Sequence, residues 1–345
     1  MVAALALAAT ATACATTPGQ AVLASPGWGA ESTETSRTTP TTSTRSTPTT
    51  SSTTTSTPTS TTAGFADDAV TVAFDETIQW TDGLSVSVTA PAAYTPSDSA
   101  VGSEDAAAAV RVTIKVVNNS AVVWDPGYSR VVATAAGAEL EDIYDTANGI
   151  TQLPYTQVLP GHELWFAFGF ALADTDDAED LQVAVSLGYD YDDGVFSTTA
   201  TGGPDRTARA GEPSSEYLPV VEAFGTPFEW ENGLSVAVSA PAPFTPTESA
   251  VGDEGPGEAV RVDVTVTNGS QEEFDPYLLF VTALSGKLEA TEIFDGAGGL
   301  ESTPYTAVAP GATVTFPIGF KVADPADLVV QVSPGSDYEP ALFTG

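Results

Sequence analysis

The phrase QWTDGLSVSVTAPAAYTP, starting at Gln79, returns 150 positions later as EWENGLSVAVSAPAPFTP, starting at Glu229. An echo at a fixed offset marks a duplicated folding unit, and it restricts the chain to folds that a stretch of this size can complete alone. What the two copies keep is an alternation. Leu84, Val86 and Val88 share one face of an extended segment, with Ser85, Ser87 and Thr89 on the other. That period of two, carried by β-branched residues, predicts a strand with one buried face.

The same pattern continues through each copy. In VRVTIKVVNNS, Val110, Val112, Ile114 and Val116 point inward while Arg111, Thr113 and Lys115 point outward. LWFAFGFAL gives Leu164, Phe166, Phe168, Phe170 and Leu172 to one face, and LQVAVSL closes the set. LSVAVSA, VRVDVTVTNGS, VTFPIGFKV and LVVQVS repeat the series in the second half. Turn signals recur with them: Asp125-Pro126 with Asp275-Pro276, and Pro160-Gly161 with Pro310-Gly311. Short alternating strands, Gly/Pro/Asn turns and no amphipathic helical stretch predict an all-β chain of two tandem immunoglobulin-like antiparallel β-sandwiches. The expected boundaries are 67–200 and 219–345, with a polar Gly/Pro-containing linker over 201–218.

The strand ending in GLSVSV, the strand VRVTIKVVNNS followed by a polar bend and Asp-Pro, and the LPG turn leading into LWFAFGF resemble the telokin-like immunoglobulin-type domain. This is a family of unknown function found in secreted and lipid-anchored proteins of Gram-positive bacteria, actinobacteria in particular. It is related in fold to a small β-sandwich secreted by mycobacteria. The resemblance covers both predicted sandwiches and rests on strand and turn patterns, so it implies a fold and an extracellular setting but no chemistry.

The N-terminal stretch points the same way. Val2 to Ala13 form an apolar run of small residues, too short to span a bilayer and of signal-peptide dimensions. The following ATAC resembles a bacterial lipobox, which predicts removal of residues 1–13 and a diacylglycerol anchor on Cys14, the single cysteine of the chain. From Glu31 to Gly64 the sequence is almost entirely Thr, Ser and Pro, without apolar surface to offset the entropy of ordering. Residues 14–66 therefore read as a lipidated, disordered tether, able to reach about 150 Å at about 3.1 Å per residue. Such composition also resembles glycosylated stalks.

Charge and residue types narrow the function. With 46 acidic against 10 basic residues the formal net charge is -36, which repels nucleic-acid backbones and excludes them as partners. His162, the one histidine, follows a Pro-Gly turn and is matched by Ala312, so it reads as a turn residue and not as a catalytic base. No His/Cys cluster exists for zinc. Asp125 and Asp275 precede proline as turn initiators, and Asp145 and Asp295 read as strand-end residues. Asp190, Asp192 and Asp193, in YDYDDG, approach the alternation of a calcium loop without its regular spacing or its distal glutamate, leaving calcium a weak candidate and no other cofactor implied. Trp80 with Trp230, Trp124 with Phe274, and Tyr155 with Tyr305 match between copies, which predicts packing. Trp165 stands on the outward row and is matched by Thr315, so it is the candidate for an exposed ligand contact, or alternatively for covering the tether or the neighbouring domain. Asn118 and Asn268 fit a glycosylation pattern but also suit turns.

These readings converge on a non-catalytic lipoprotein on the outer face of the cell membrane. Its two modules would meet an extracellular protein, glycan or cell-wall component. The alternatives are an accessory lipoprotein docked to a membrane complex and an enzyme acting on envelope polysaccharide, the latter opposed by the want of a convergent acid-base pair.

Overall fold

The computed structural model describes residues 69–201, 206–211, 220–301 and 303–345. The predicted signal segment, Cys14, the tether and part of the linker lie outside the described residues.

Each copy is a sandwich of two sheets. In the first, one sheet orders its strands Val70–Ala73, Gly194–Ser197, Gln182–Ser186, Arg130–Ala135 and Ala138–Glu139. The other runs Thr207–Ala208, Thr77–Trp80, Leu84–Val88, Ala108–Asn118, Glu163–Leu172 and Glu141–Ile143, with Ala92–Tyr94 also paired to Ala108–Asn118. The second copy repeats both sheets: Val220–Ala223, Ala341–Thr344, Leu328–Ser333, Phe280–Ser285 and Leu288–Glu289 against Phe228–Glu229, Leu234–Val238, Glu258–Asn268, Thr313–Val322 and Thr291–Ile293.

The alternation read from the sequence is the one the sheets use. Leu84, Val86 and Val88 are buried, and Val110, Val112 and Ile114 stand opposite Phe170, Phe168 and Phe166 across the antiparallel pair. These cross-strand aromatic and β-branched pairs fill the space between the sheets. Asp82-Gly83 and Asn232-Gly233 make the hairpin turns. Gly83 and Gly233 take φ of 111° and 90°, which a side chain would strain, and Asp82 and Asn232 accept the amides of Leu84 and Leu234.

Two expectations change. The sandwiches are not wholly antiparallel: the first strand of each, Val70–Ala73 or Val220–Ala223, pairs parallel to Gly194–Ser197 or Ala341–Thr344. This sheet edge joins two segments far apart in sequence, so no local pattern announces its direction. The linker, expected from residue 201, also begins later. Thr207–Ala208 adds a strand beside Gln79 and Trp80, Arg206 pairs with Glu76, and the amide of Ala210 donates to Thr81 Oγ1. Backbone pairing, which tolerates polar side chains, draws this segment into the first sandwich.

Candidate functional site

The described residues all belong to one compact unit, and what unites the two sandwiches is a joint built on the segment Pro154 to Trp165. The strand Leu328–Ser333 shows how. Val330 and Val332 face the core of their own sandwich, whereas Val329, with Leu284 and Leu342 from neighbouring strands, packs into the hydrophobic cluster of the first. Successive side chains point to opposite faces, so one strand serves both layers.

Polar contacts fix the register of this joint. One carboxylate oxygen of Glu289 accepts from the Tyr155 amide at 2.7 Å, the Thr156 amide at 2.9 Å and Thr156 Oγ1 at 2.9 Å. Gln331 Oε1 accepts from the Gln157 amide at 2.7 Å, and its Nε2 donates to the Tyr155 carbonyl. The Tyr155 ring meets Phe280 edge-on at 5.3 Å. Farther along, Glu163 lies between Lys115 at 2.9 Å and Lys287 at 3.1 Å, while the Trp165 amide donates to the Lys287 carbonyl. Burial raises the Glu163 carboxyl, but hydrogen bonds from Lys115 and Lys287 outweigh it and hold the group below its ordinary range.

Several residues singled out in the sequence fall on this joint. Trp165 does occupy the outward row, yet it is half-buried, with Lys115 Nζ at 5.2 Å and Lys287 Nζ at 4.3 Å from its ring centroid. It covers the neighbouring sandwich. His162 is half-buried, its Nε2 3.3 Å from Asp327 Oδ1 of the second sandwich. Tyr155 and Tyr305, expected to be packed, are 49% and 75% exposed, because they stand on a loop outside the sheets. Trp80, Trp124 and Phe274 are core residues as read.

The acidic cluster does not assemble. Asp192 Oδ2 accepts the Arg209 amide and its carbonyl accepts Trp80 Nε1; the Asp193 carbonyl accepts the Val70 amide; Asp190 is exposed. Among the described residues no group of three or more His, Cys, Asp or Glu side chains converges to hold a metal. Asp190 and Asp192 tie the end of the first sandwich to the segment that leaves it, through the Gly211 and Arg209 amides, and Asp193 ties it to the opening strand.

The matched aspartates Asp145 and Asp295 are buried and fully engaged. Asp145 accepts from Ser97 Oγ at 2.6 Å, the Ser97 amide at 2.8 Å and Asn148 Nδ2 at 2.7 Å; Asp295 does the same with Thr247 and the Gly298 amide. Hydrogen bonds led by Ser97 and Thr247 hold both carboxyls below their ordinary range. Asp142 and Glu292, another matched pair, are raised, chiefly by burial, with Glu139 adding repulsion at Asp142.

The two pairs act oppositely with pH. A depressed folded value stabilises fully above the unfolded one, near pH 4, and is lost as pH falls through the folded value. A raised one stabilises below the unfolded value and is lost as pH rises through the folded value. Asp145→Asn with Asp295→Asn should therefore flatten the acid limb of a urea-midpoint profile. Asp142→Asn with Glu292→Gln should raise the midpoint at pH 7 and leave it unchanged at pH 3. A pH 7 gain that persists at pH 3 would contradict the assignment.

Beside the joint, the first sandwich carries a groove of about 340 Å³ lined by Asp142, Tyr144, Gln152, Leu153, Tyr155 and Phe168, among others. Further exposed aromatics gather on the loops, with Tyr128 and Tyr189 6.5 Å apart and Tyr277 and Tyr305 stacked at 5.6 Å. No sequence pattern marked this groove, since its walls come from separate strands and a loop.

No protein-family model matches the chain, and no curated protein matches it. Solved structures do. One is the yjhA protein from Bacillus subtilis, 12% identical, covering 36% of this chain and 98% of that chain, with a TM-score of 0.29. Another is MPT63, a secreted protein from Mycobacterium tuberculosis, 18% identical, covering 37% of this chain and 98% of that chain, with a TM-score of 0.30. A transglutaminase from red sea bream is 11% identical, covering 74% of this chain and 32% of that chain, with a TM-score of 0.18.

Proposed function

We propose that the chain is a non-catalytic interaction protein of the cell envelope, anchored through Cys14, that presents two jointed sandwiches to an extracellular glycan or protein. The observation that carries this reading is the joint itself. A spacer needs no carboxylate held by two amides and a hydroxyl, and such a contact serves a surface in which two modules must keep one geometry.

The chemistry of the described residues supports binding over turnover. His162 faces Asp327 within the joint, and Asp145 and Asp295, although each accepts from a Ser97 or Thr247 hydroxyl, are held below their ordinary range by those hydrogen bonds and so are poor bases. The groove beside Tyr144 and Tyr155 pairs aromatic walls with a few polar groups, the usual make-up of a site that packs against a sugar face or an extended peptide. Among the described residues no helix is long and apolar enough to cross a membrane.

The test is retention of the full chain on insoluble envelope material, competed with soluble wall glycans in one arm and with protease-treated material in another. Tyr144→Ala, which alters an exposed groove side chain, should lower retention at least about tenfold with an unchanged unfolding midpoint. Retention that survives this change would remove the groove as the site, and no retention in any arm would end the binding reading.

A further inference from the structure

The surface with which the first sandwich holds the second exists twice, and its second copy is unoccupied. Pro154, Tyr155 and Thr156 recur as Pro304, Tyr305 and Thr306. In the first copy the two amides and the Thr156 hydroxyl hold the Glu289 carboxylate, and the Tyr155 ring rests on Phe280. In the second, Tyr305 and Thr306 are exposed, and among the described residues the same two amides and hydroxyl have no partner. Tyr305 is instead stacked on Tyr277, itself exposed, so the ring half of the receptor stands assembled in solvent.

The residues that would fill this receptor are present on the first sandwich. Glu139 stands where Glu289 does, at the end of the hairpin Arg130–Glu139, and Arg130 stands where Phe280 does. Their side chains are about 60% exposed and lie 3.9 Å apart, poised to act together. A guanidinium over a tyrosine pair replaces the edge-on ring contact of the joint, and a carboxylate on paired amides repeats it.

We propose that Tyr277, Tyr305 and Thr306 of one chain receive Arg130 and Glu139 of a second copy, head to tail. The contact is heterologous, so it leaves a free receptor at one end and a free hairpin at the other, and further copies can add. It is also weaker than the internal joint. Thr313, Thr315 and Gly137 stand at the positions of Glu163, Trp165 and Lys287, so the ion-pair cluster is absent. Thr134, Ala184 and Val195, at the positions of Leu284, Gln331 and Leu342, are already buried within the single chain, so the copies meet at the hairpin and not across the sheet face. A small contact of this kind acts where chains are concentrated, as on one membrane, and the net charge of -36 makes it stronger in salt.

Sedimentation velocity on the full chain, from about 1 μM to about 1 mM, at low and physiological salt, tests this. The wild type should associate increasingly with concentration and with salt. Thr306→Pro, which removes an amide and the hydroxyl at an exposed loop position, and Glu139→Ala should each stay monomeric with unfolding midpoints no lower than that of the wild type. A mixture of the two variants retains one intact receptor and one intact hairpin, so it should form dimers and stop there. A wild type that stays monomeric in salt, variants that associate like the wild type, or a mixture that forms no dimer would each overturn the proposal. Envelope retention does not enter these measurements, so a failure here is distinct from a failure of the binding reading.

Discussion

Val329→Asp should release the two sandwiches from each other while leaving each folded. Val329 is fully buried, but with Leu284 and Leu342 it joins the hydrophobic cluster of the first sandwich, whereas its neighbours Val330 and Val332 fill the second. Aspartate at this position places a carboxylate without a partner in an apolar contact, and an uncompensated buried charge costs about 3–5 kcal/mol. Opening the joint hydrates the charge and leaves both cores intact, so separation is the low-energy response. Calorimetry should then resolve two transitions where the wild type shows coupled unfolding, and small-angle scattering should report a longer particle. Glu289→Ala, which strands the Tyr155 and Thr156 amides and the Thr156 hydroxyl, should move the same observables in the same direction by less. A Val329→Asp chain with wild-type scattering and one unchanged transition would show that the joint contributes nothing to cohesion.

Asn118→Ala should destabilise the first sandwich by about 3 kcal/mol or more. Asn118 is fully buried at the end of the central strand Ala108–Asn118. Its Nδ2 donates to the carbonyls of Val122 and Val158 at 2.9 and 2.8 Å, and its Oδ1 accepts from the Ser120 amide and hydroxyl at 3.0 and 2.7 Å. Alanine removes four hydrogen bonds at once: the Val158 carbonyl keeps the Trp124 amide, the Ser120 hydroxyl and Val122 carbonyl keep each other, and the Ser120 amide loses its partner where little water can reach it. For a sandwich of this size the melting midpoint should fall on the order of 10 °C. Asn268→Ala should do the same in the second sandwich, through Glu272, Val308 and Ser270. A shift within a degree of wild type would show that water replaces the side chain. The burial also settles the glycosylation pattern at both asparagines in the folded state: a buried amide cannot carry a sugar.

That role was readable in part. Asn118 continues the inward row of Val110, Val112, Ile114 and Val116, and Asn268 that of Val260 to Val266, so parity alone put both side chains in the core. A polar residue on that row requires an internal partner set. The turn-like Asn-Asn-Ser and Asn-Gly-Ser sequences concealed the parity. Asp125 and Asp275 show local reading succeeding, since each accepts an amide two residues on and starts the short helical turn at its proline.

The sequence by itself determined the duplication, the inward rows, the Asp-Pro turns and the fate of Trp80 and Trp124, because each depends on neighbours within a strand or a turn. Only the tertiary structure decided that Trp165 lies beneath Lys287, that Glu289 rests on the Tyr155 and Thr156 amides, that Thr207–Ala208 belongs to the first sandwich, and that Tyr155 meets Phe280 while Tyr305 stacks on the exposed Tyr277. The physical reason is that alternation records which side of a sheet is buried but not what buries it. Val329 and Val330 are the same residue type one position apart, and which core each of them enters is settled by a surface more than 100 residues away in the chain.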